Sequence, residues 1–355
     1  NKVDYLLVTA PENVAWILNI RGHDSAYSPI PNARLLINNK GHIDLFSQTK
    51  KVKNIKKKFS KKIKFYDENK IEKKLKNLNK KNIWLDTLSC SIYYKSLLKR
   101  NNKVFEKIDP IYFFKSIKNS TEIENMKKSH IVDGAALTKF LFWLKRNFKK
   151  KKITEISAQN KLEAFRKMNK TYKFPSFNTI SGSGPNSAII HYKASIESNR
   201  TLKKGDIYLV DSGGQYSYGT TDVTRTISLE NNSNFIKSIY TRVLKGHIAV
   251  SKYKVKKNSK GSEIDENARK PLKQVKLDYP HGTGHGVGYF LNVHEGPQSI
   301  SKNNKINLKT GMIISNEPGY YKEGHFGIRI ENLIYIKNDK FEELTMAPIE
   351  KDLIN

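Results

Sequence analysis

Five residues whose side chains can ligate metal ions stand where the apolar patterns of predicted strands begin or end, or in a glycine-rich stretch. They are Asp211, Asp222, His285, Glu317 and Glu331. Four carboxylates converging on one site would repel one another strongly unless cations neutralised them. Each residue alone is typical of a turn or a solvated strand end, but the five together indicate a metal site.

The types of donor limit the metal. The set contains carboxylate oxygens, one imidazole and no thiolate, which suits manganese, cobalt or iron, with catalytic zinc as an alternative. Five ligands are enough for two divalent ions about 3.5–4 Å apart that share a water or hydroxide. Such a pair would provide a nucleophile at neutral pH.

The stretch from His281 to Gly288 reads HGTGHGVG. His281 and His285 are four residues apart and would share a face of a helix, as in zinc metalloproteases. The alternating glycines disfavour a helix here. We therefore expect a loop whose backbone approaches a ligand closely.

Length and composition indicate two domains in a chain of 355 residues, 37% of them hydrophobic. The longest apolar run, from Phe140 to Leu144, is too short to span a bilayer, so no membrane partner is expected. The single cysteine, Cys90, excludes an internal disulfide and favours a reducing compartment, so we predict a cytoplasmic location. Because the chain opens at Asn1 without an initiator methionine, we expect a fragment or a processed product.

The net charge of +32 would fit nucleic acid or an acidic membrane as a partner. The surplus is mostly lysine, spread with isoleucine and asparagine over the whole length, which is typical of A/T-rich codon usage at solvated positions. The densest basic run, residues 50–64, has no aromatic platform for bases. We therefore predict no specific nucleic-acid partner.

The predicted fold class is α/β, with an α/β domain over residues 1–110, a linker over 111–119 and a second domain over 120–355. In the first domain the strand patterns are residues 3–8, 33–38, 42–46, 62–65 and 82–85. Its helix patterns are residues 12–18, 50–59, 68–78 and 91–99.

The second domain opens with a predicted capping box, Thr121 with Glu124, that starts a helix running to about Phe148. Further predicted helices are residues 154–169, 233–253 and 263–275. Its strand patterns are residues 177–181, 188–191, 206–210, 223–228, 312–315, 327–336 and 341–346.

The five candidate ligands match in type and order those of the pita-bread metallopeptidases. The motifs resemble most closely the Xaa-Pro aminopeptidases of the three-domain eukaryotic type, and these motifs are residues 181–192, 211–226, 281–288 and 317–321. Residues 15–24 resemble the middle domain of that subgroup, which is a creatinase-type α/β domain. The subgroup also has an earlier domain and a helical extension, and we expect this chain to lack both.

The resemblance implies a role for each site residue. Asp211 would bind one ion, His285 and Glu317 the other, and Asp222 and Glu331 would bridge the two, which are expected to be Mn²⁺. A bridging hydroxide would attack the carbonyl before proline, with Glu317 handling its proton. His191 and His294 would hydrogen-bond substrate or transition state and shuttle protons, and His281 would shield the site.

Strand alternation predicts that Arg329 can orient Glu331 and that Thr224 lies beside Asp222. Arg329 is also expected to contact substrate.

The expected substrates are peptides with proline at the second position, and the expected assembly is a homodimer. Three alternatives stay open at this point: a prolidase, which would need a cation for the carboxylate of a dipeptide, a metal-free pita-bread binding module, and a metal-free creatinase-type hydrolase.

Overall fold

A computed structural model describes residues 2–355, and the chain divides into two compact units between Lys115 and Ser116. Each unit contains both helices and strands, which agrees with the predicted α/β class. No helix within residues 2–355 combines the length and apolarity needed to cross a bilayer.

The first unit is built on a mixed six-stranded sheet in the order β4-β3-β2-β1-β5-β6. Its strands are β1 (Tyr5–Val8), β2 (Arg34–Asn38), β3 (Ile43–Phe46), β4 (Ile63–Tyr66), β5 (Asn82–Leu85) and β6 (Lys103–Glu106). Its helices are α1 (Pro11–Ile17), α2 (Thr49–Val52), α3 (Ile71–Lys76), α4 (Ile92–Lys99) and α5 (Pro110–Ser116). Apolar residues pack on both faces of the sheet, as the alternating patterns predict.

The observed elements of this region differ from the predicted ones in three places. The helix expected over residues 50–59 is only the short α2 followed by a 3₁₀ turn over Lys56–Lys58, since the successive lysines offer few apolar positions to bury. Strand β6 was not predicted. The segment predicted as a linker contains most of α5, which begins after buried Asp109, whose carboxylate accepts a hydrogen bond from the Ile111 amide at 2.9 Å.

The second unit carries four further helices, α6 (Ser120–Asn147), α7 (Glu155–Lys167), α8 (Asn234–Ser251) and α9 (Gly261–Lys273). The capping box of α6 is not the predicted Thr121 with Glu124. Instead, Asn119 and Glu122, each two residues before its predicted counterpart, exchange two hydrogen bonds of 2.9 Å. Glu124 lies outside that box and pairs with Lys127 on the helix surface.

Four sheets complete this unit. The strands are β7 (Tyr172–Pro175), β8 (Ile180–Ser183), β9 (Ile207–Ser212), β10 (Gly214–Tyr216), β11 (Gly219–Thr220), β12 (Val223–Ser228), β13 (Gly284–Gly286), β14 (Glu295–Ile300), β15 (Ile313–Asn316), β16 (Gly319–Lys322), β17 (Phe326–Arg329), β18 (Asn332–Lys337) and β19 (Lys340–Glu343). The orders are β11-β10-β7, β12-β9-β8, β14-β13-β15-β18-β19 and β16-β17. Strands β9 and β12 pair in antiparallel orientation, with Thr224 opposite Asp211.

Two strand predictions in this unit were wrong. The strand expected over residues 188–191 is absent, and a 3₁₀ turn over Gly184–Ala188 leads into a loop there. The long strand expected over residues 327–336 is split into β17 and β18, because β17 pairs with β16 whereas β18 pairs with β15 and β19. Glu331 lies at the break, where its amide donates to the carbonyl of Thr224 at 3.2 Å. Strands β7, β10, β11, β13, β14 and β16 were not predicted.

A buried ion pair joins α6 to α7 and reaches the strand that carries Asp211. Arg166 Nε donates to Asp133 Oδ1 at 2.8 Å, and Arg166 Nη2 donates to Ser212 Oγ at 3.0 Å. Tyr216 donates its hydroxyl to the same Asp133 oxygen at 2.7 Å. Both charged side chains are almost fully buried, so each depends on the other for compensation.

Replacing Asp133 by alanine should lower the free energy of unfolding by about 3–5 kcal/mol, because it leaves the Arg166 guanidinium buried without a counter-charge. Urea unfolding monitored by circular dichroism would measure this. Glu124→Ala is a matched control, since it removes an exposed ion pair on the same helix and should cost less than about 1 kcal/mol. Equal losses in the two variants would contradict the structural role given to the buried pair.

Candidate metal centre

One cavity of about 470 Å³ in the second unit brings together all nine residues that the sequence placed in the site. They are His191, Asp211, Asp222, His281, His285, His294, Glu317, Arg329 and Glu331. The five predicted ligands come from separate parts of the chain: β9, the residue before β12, β13, the turn after β15 and the break after β17. Arg329 ends β17, and the other three histidines lie in loops. Apolar lining comes from Phe177, Ile180 and Ile190.

The donor atoms of Asp222, His285 and Glu331 lie within 4.8 Å of one another. His285 Nε2 is 3.4 Å from Asp222 Oδ2 and 3.3 Å from Glu317 Oε1. Three segments distant in sequence therefore aim nitrogen and oxygen donors at one small volume.

The hydrogen bonds of His285 determine which of its nitrogens faces that volume. Nδ1 lies 2.9 Å from the carbonyl oxygen of Gly286, and a carbonyl can only accept, so Nδ1 carries the proton. In a neutral imidazole the other nitrogen then has a free lone pair. Nε2 is thus presented as a ligand atom.

The carboxylates of the cavity are buried and repel one another. Burial, followed by the charges of neighbouring carboxylates, raises the pKa of Asp222 and of Glu331 well above the usual values. Burial also raises the pKa of Glu317, against the lowering effect of His285. Divalent cations would remove this repulsion and return the acids to their charged forms.

Asp211 is held by Arg329. Arg329 Nη2 donates to Asp211 Oδ2 at 2.6 Å, and both side chains are largely buried. Among residues 2–355, no group hydrogen-bonds the other carboxylate oxygen, Oδ1, which is also buried. An orphaned buried carboxylate oxygen is costly unless a cation binds it, so this atom fits a metal ligand.

Two hydroxyls orient two further carboxylates. Thr224 Oγ1 donates to Glu331 Oε2 at 2.7 Å, and Ser315 Oγ donates to Glu317 Oε1 at 2.9 Å. Arg329 therefore orients Asp211 rather than the predicted Glu331, and Thr224, which was predicted to lie beside Asp222, donates to Glu331. Strand alternation fixes the face that a side chain uses, but the sheet arrangement fixes its partner.

The three histidines expected to be outside the ligand set lie around the cavity. The ring centroids of His285 and His294 are 4.1 Å apart, and the two rings make an edge-to-face contact. The neighbouring imidazole of His285, together with burial, lowers the pKa of His294 to about 4. Burial lowers the pKa of His281 to about 4, so both rings are neutral near pH 7, with one donor and one acceptor nitrogen each. His191 lines the cavity on the loop after the 3₁₀ turn.

Two residues that the sequence did not predict for the site position these groups. Tyr321 Oη lies 2.8 Å from His281 Nε2 and 2.7 Å from Arg329 Nη1, so it links a cavity histidine to the arginine that holds Asp211. Tyr321 was visible in the motif after Glu317, but only its pairing on β16 directs it to the cavity.

Glu155 is the second missed residue. It is fully buried at the start of α7, where an acid in the first turn looks like an ordinary helix-end charge. Its carboxylate accepts from the Ser183 and Arg200 amides at 2.7 and 2.9 Å, from Asn186 Nδ2 and from the Tyr192 hydroxyl at 2.8 Å. These bonds fix the loop that carries His191.

Comparison with known proteins identifies the family to which this architecture belongs. The sequence profile of Metallopeptidase family M24 matches residues 124–338, and that of the Creatinase/Prolidase N-terminal domain matches residues 1–122. Xaa-Pro aminopeptidase 1 of Dictyostelium discoideum is 41% identical over 372 residues, covering 99% of this chain and 59% of the relative. Aminopeptidase P2 of Arabidopsis thaliana is 37% identical over 398 residues, covering 99% and 56%. The chain thus spans less than two thirds of these relatives.

Similarity to solved structures supports the same family. The X-prolyl aminopeptidase of Caenorhabditis elegans, described as a cytosolic enzyme with a di-nuclear active site, superposes with a TM-score of 0.91 and 31% identity, covering 99% of this chain and 61% of that one. Prolidase from Pyrococcus furiosus superposes with a TM-score of 0.80 and 27% identity, covering 98% and 97%. The predicted family and fold are confirmed: the chain belongs to metallopeptidase family M24, with a creatinase-type amino-terminal domain followed by a pita-bread domain.

Proposed function

We propose that the protein is a metal-dependent aminopeptidase that hydrolyses the bond between an amino-terminal residue and a following proline. The observation that carries the proposal is the convergence of Asp222, His285 and Glu331 donor atoms within 4.8 Å. The names of the relatives from Dictyostelium, Arabidopsis and Caenorhabditis support the substrate class.

The residues that would hold two divalent ions are the five predicted ligands, Asp211, Asp222, His285, Glu317 and Glu331. When bound, the ions would supply Lewis-acid polarisation of the scissile carbonyl and a water of lowered pKa. Mn²⁺ suits the oxygen-rich donor set best, and Co²⁺, Zn²⁺ and Fe²⁺ are alternatives.

The protein's own groups have separate tasks in this scheme. Glu317 stands at hydrogen-bond distance from a donor, Ser315, that fixes its carboxylate, and it would take and return the proton of the attacking water. His191 and His294 would hydrogen-bond the substrate and stabilise charge that develops on its carbonyl oxygen. His281 would shield the site from bulk water, held in place by Tyr321.

The choice between aminopeptidase and prolidase depends on a cation for the free carboxylate of a dipeptide. Within residues 2–355, two Lys or Arg side chains line the cavity, Arg329 and Lys193. Arg329 already donates to Asp211, Tyr321 and Thr224, and Lys193 is exposed. Neither is a buried cation free to hold a carboxylate, which favours substrates that extend beyond the proline. The intact ligand set disfavours the metal-free binding module and the creatinase-type hydrolase.

We further propose a cytoplasmic homodimer that needs neither a membrane nor nucleic acid to act. The single cysteine and the cytosolic description of the Caenorhabditis structure support the location. The dimer rests on the family resemblance.

Asp222→Ala should lower the rate of manganese-dependent release of the first residue from Arg-Pro-Pro by at least about 100-fold. Mutation of residues that only support a metal ligand already lowers metal affinity or activity by roughly 10- to 100-fold. Glu323→Gln, which changes an exposed acid in the same unit, is the control. Chromatographic assay of released arginine gives the rates. A folded Asp222→Ala protein with near wild-type activity would contradict the proposed centre.

The wild-type protein should cleave Arg-Pro-Pro with a higher kcat/KM than the dipeptide Ala-Pro. The reason is that the cavity offers no buried cation free to bind the carboxylate of the dipeptide. The same assay with Ala-Pro-Ala excludes an effect of the first residue. A preference for Ala-Pro over Ala-Pro-Ala would move the assignment to prolidase.

Glu155→Gln should lower kcat roughly 10- to 100-fold while manganese affinity stays within about twofold, because it loosens the His191 loop and leaves the ligands untouched. Calorimetric manganese titration beside steady-state kinetics separates the two effects. Glu163→Gln on the same helix α7 is the matched control, as its carboxylate bonds Tyr172 instead. An equal loss of metal affinity and kcat would show a general structural role.

A further inference from the structure

The loop that carries His294 is held by buried contacts that have no part in the proposed catalytic scheme. It connects β13 to β14 over residues 287–294, and we name it the His294 loop. The Gly288 amide donates to the Asn292 carbonyl oxygen at 3.0 Å, which closes the loop on itself. The position of this loop determines where the His294 imidazole lies beside the ring of His285.

The middle of the His294 loop is fixed by two buried polar side chains of the β10–β11 hairpin. Gln215 Nε2 donates to the Leu291 carbonyl oxygen at 2.7 Å. The Leu291 amide donates to Thr220 Oγ1 at 3.3 Å, and the Thr220 hydroxyl donates to Gln215 Oε1 at 2.7 Å. All three residues are buried. The polar backbone groups of Leu291 are therefore both satisfied without water.

The carboxyl end of the His294 loop is fixed by a buried ion pair. The Lys118 ammonium donates to Glu295 Oε1, and each side chain is 1% exposed. Glu295 follows His294 directly in the sequence. Its other carboxylate oxygen lies near the start of the loop, since a Cβ added to Gly288 would be 3.2 Å from Glu295 Oε2. The pair therefore lies where the two ends of the loop approach each other.

Lys118 comes from a rigid part of the second unit, 177 residues away from Glu295 in sequence. Its amide donates to the Gly311 carbonyl oxygen at 2.9 Å, and the Gly311 amide donates to the Ile336 carbonyl oxygen at 2.9 Å. The preceding residue, Ile117, forms a β-bridge with Met312. The ammonium is thus held in place by the sheet that contains β15 and β18.

An ion pair of this kind provides direction more than stability. Replacing a buried pair with apolar residues of similar volume is often neutral or stabilising, so stability alone does not account for the pair. A charge-assisted hydrogen bond is short and has a defined geometry. The Lys118 ammonium therefore fixes where the Glu295 carboxylate lies, and with it the backbone of the preceding residue, His294.

Given the proposed function, on which this inference rests, we propose that Lys118 is a positioning residue that acts through Glu295. It holds the carboxyl end of the His294 loop so that the His294 imidazole reaches the substrate at the metal centre. Neither Lys118 nor Glu295 is among the described residues that line the metal cavity. Both act on the substrate through the histidine that they place.

A double-mutant cycle of Lys118→Met and His294→Ala, made in the manganese-loaded full chain, tests this inference. Lys118→Met should lower kcat for Arg-Pro-Pro about 10- to 100-fold, because a small misplacement of an active-site group has effects of that size. KM should stay within about twofold, as expected for an interaction made in the transition state. In the His294→Ala background, the same change should lower kcat less than about twofold, because the positioned group is already absent.

Single-turnover assays with excess enzyme keep the slow rates of the cycle measurable, and calorimetric titration should show manganese affinity within about twofold of wild type. Where Lys118→Met does not fold, Lys118→Met with Glu295→Gln replaces it, because this pair of changes leaves no buried charge without a partner. The same loss of kcat is expected. Lys127→Met is the matched control, since it removes an exposed ion pair with Glu124 on α6 and should keep the wild-type kcat.

An equal fold-loss of kcat in the wild-type and His294→Ala backgrounds would show that Lys118 acts on the fold in general. That result, or an unchanged kcat in the folded variant, would overturn Lys118 as a positioning residue while leaving the aminopeptidase assignment intact. Absence of Arg-Pro-Pro cleavage by the wild type would refute the proposed function, and this inference with it.

Discussion

Crowding four carboxylates into one largely buried cavity is the constraint on which the second unit depends. Asp222 and Glu331 are held so close to other acids that burial and mutual repulsion drive their pKa values well upward. A fold maintains such an arrangement only if its scaffold resists the repulsion and if something neutralises it. The first condition is met by hydrogen bonds, and the second calls for cations.

The scaffold meets the first condition with donors that are themselves buried. Arg329 holds Asp211, Thr224 holds Glu331, and Ser315 holds Glu317. Behind these, Arg225 is fully buried and donates to the Glu331 carbonyl oxygen and to the carbonyl of Ala347, which ties the strand break to the end of the chain. Three of the four carboxylates are thus oriented before a metal binds, a property expected of precise metal sites.

How much of this arrangement the sequence predicts depends on how far apart along the chain the interacting residues lie. Strand β12 was predicted with its exact bounds, and the nine site residues were predicted from residue type and motif. The cap at Asn119 was missed because Asn119 with Glu122 and Thr121 with Glu124 satisfy the same local rule, and only tertiary packing selects one.

Longer-range features were beyond local rules for the same reason. The partner of Arg329 depends on how the β16-β17 hairpin lies against β9, which alternation along one strand does not specify. Glu155 looked like a helix-end charge because its acceptor role depends on amides 28 to 45 residues away. Groups that ligate are readable from sequence, whereas groups that position them are set by tertiary structure.

The number of manganese ions that the chain binds is the most direct test of the proposed two-ion centre. Equilibrium dialysis followed by elemental analysis would give the stoichiometry, and electron paramagnetic resonance would show whether the ions are close enough to couple. We expect two ions per chain with the spectrum of a coupled pair in the wild type, and one ion or none in Asp222→Ala. Binding of no ion by the folded wild type, or of isolated ions unaffected by Asp222→Ala, would contradict the two-ion centre.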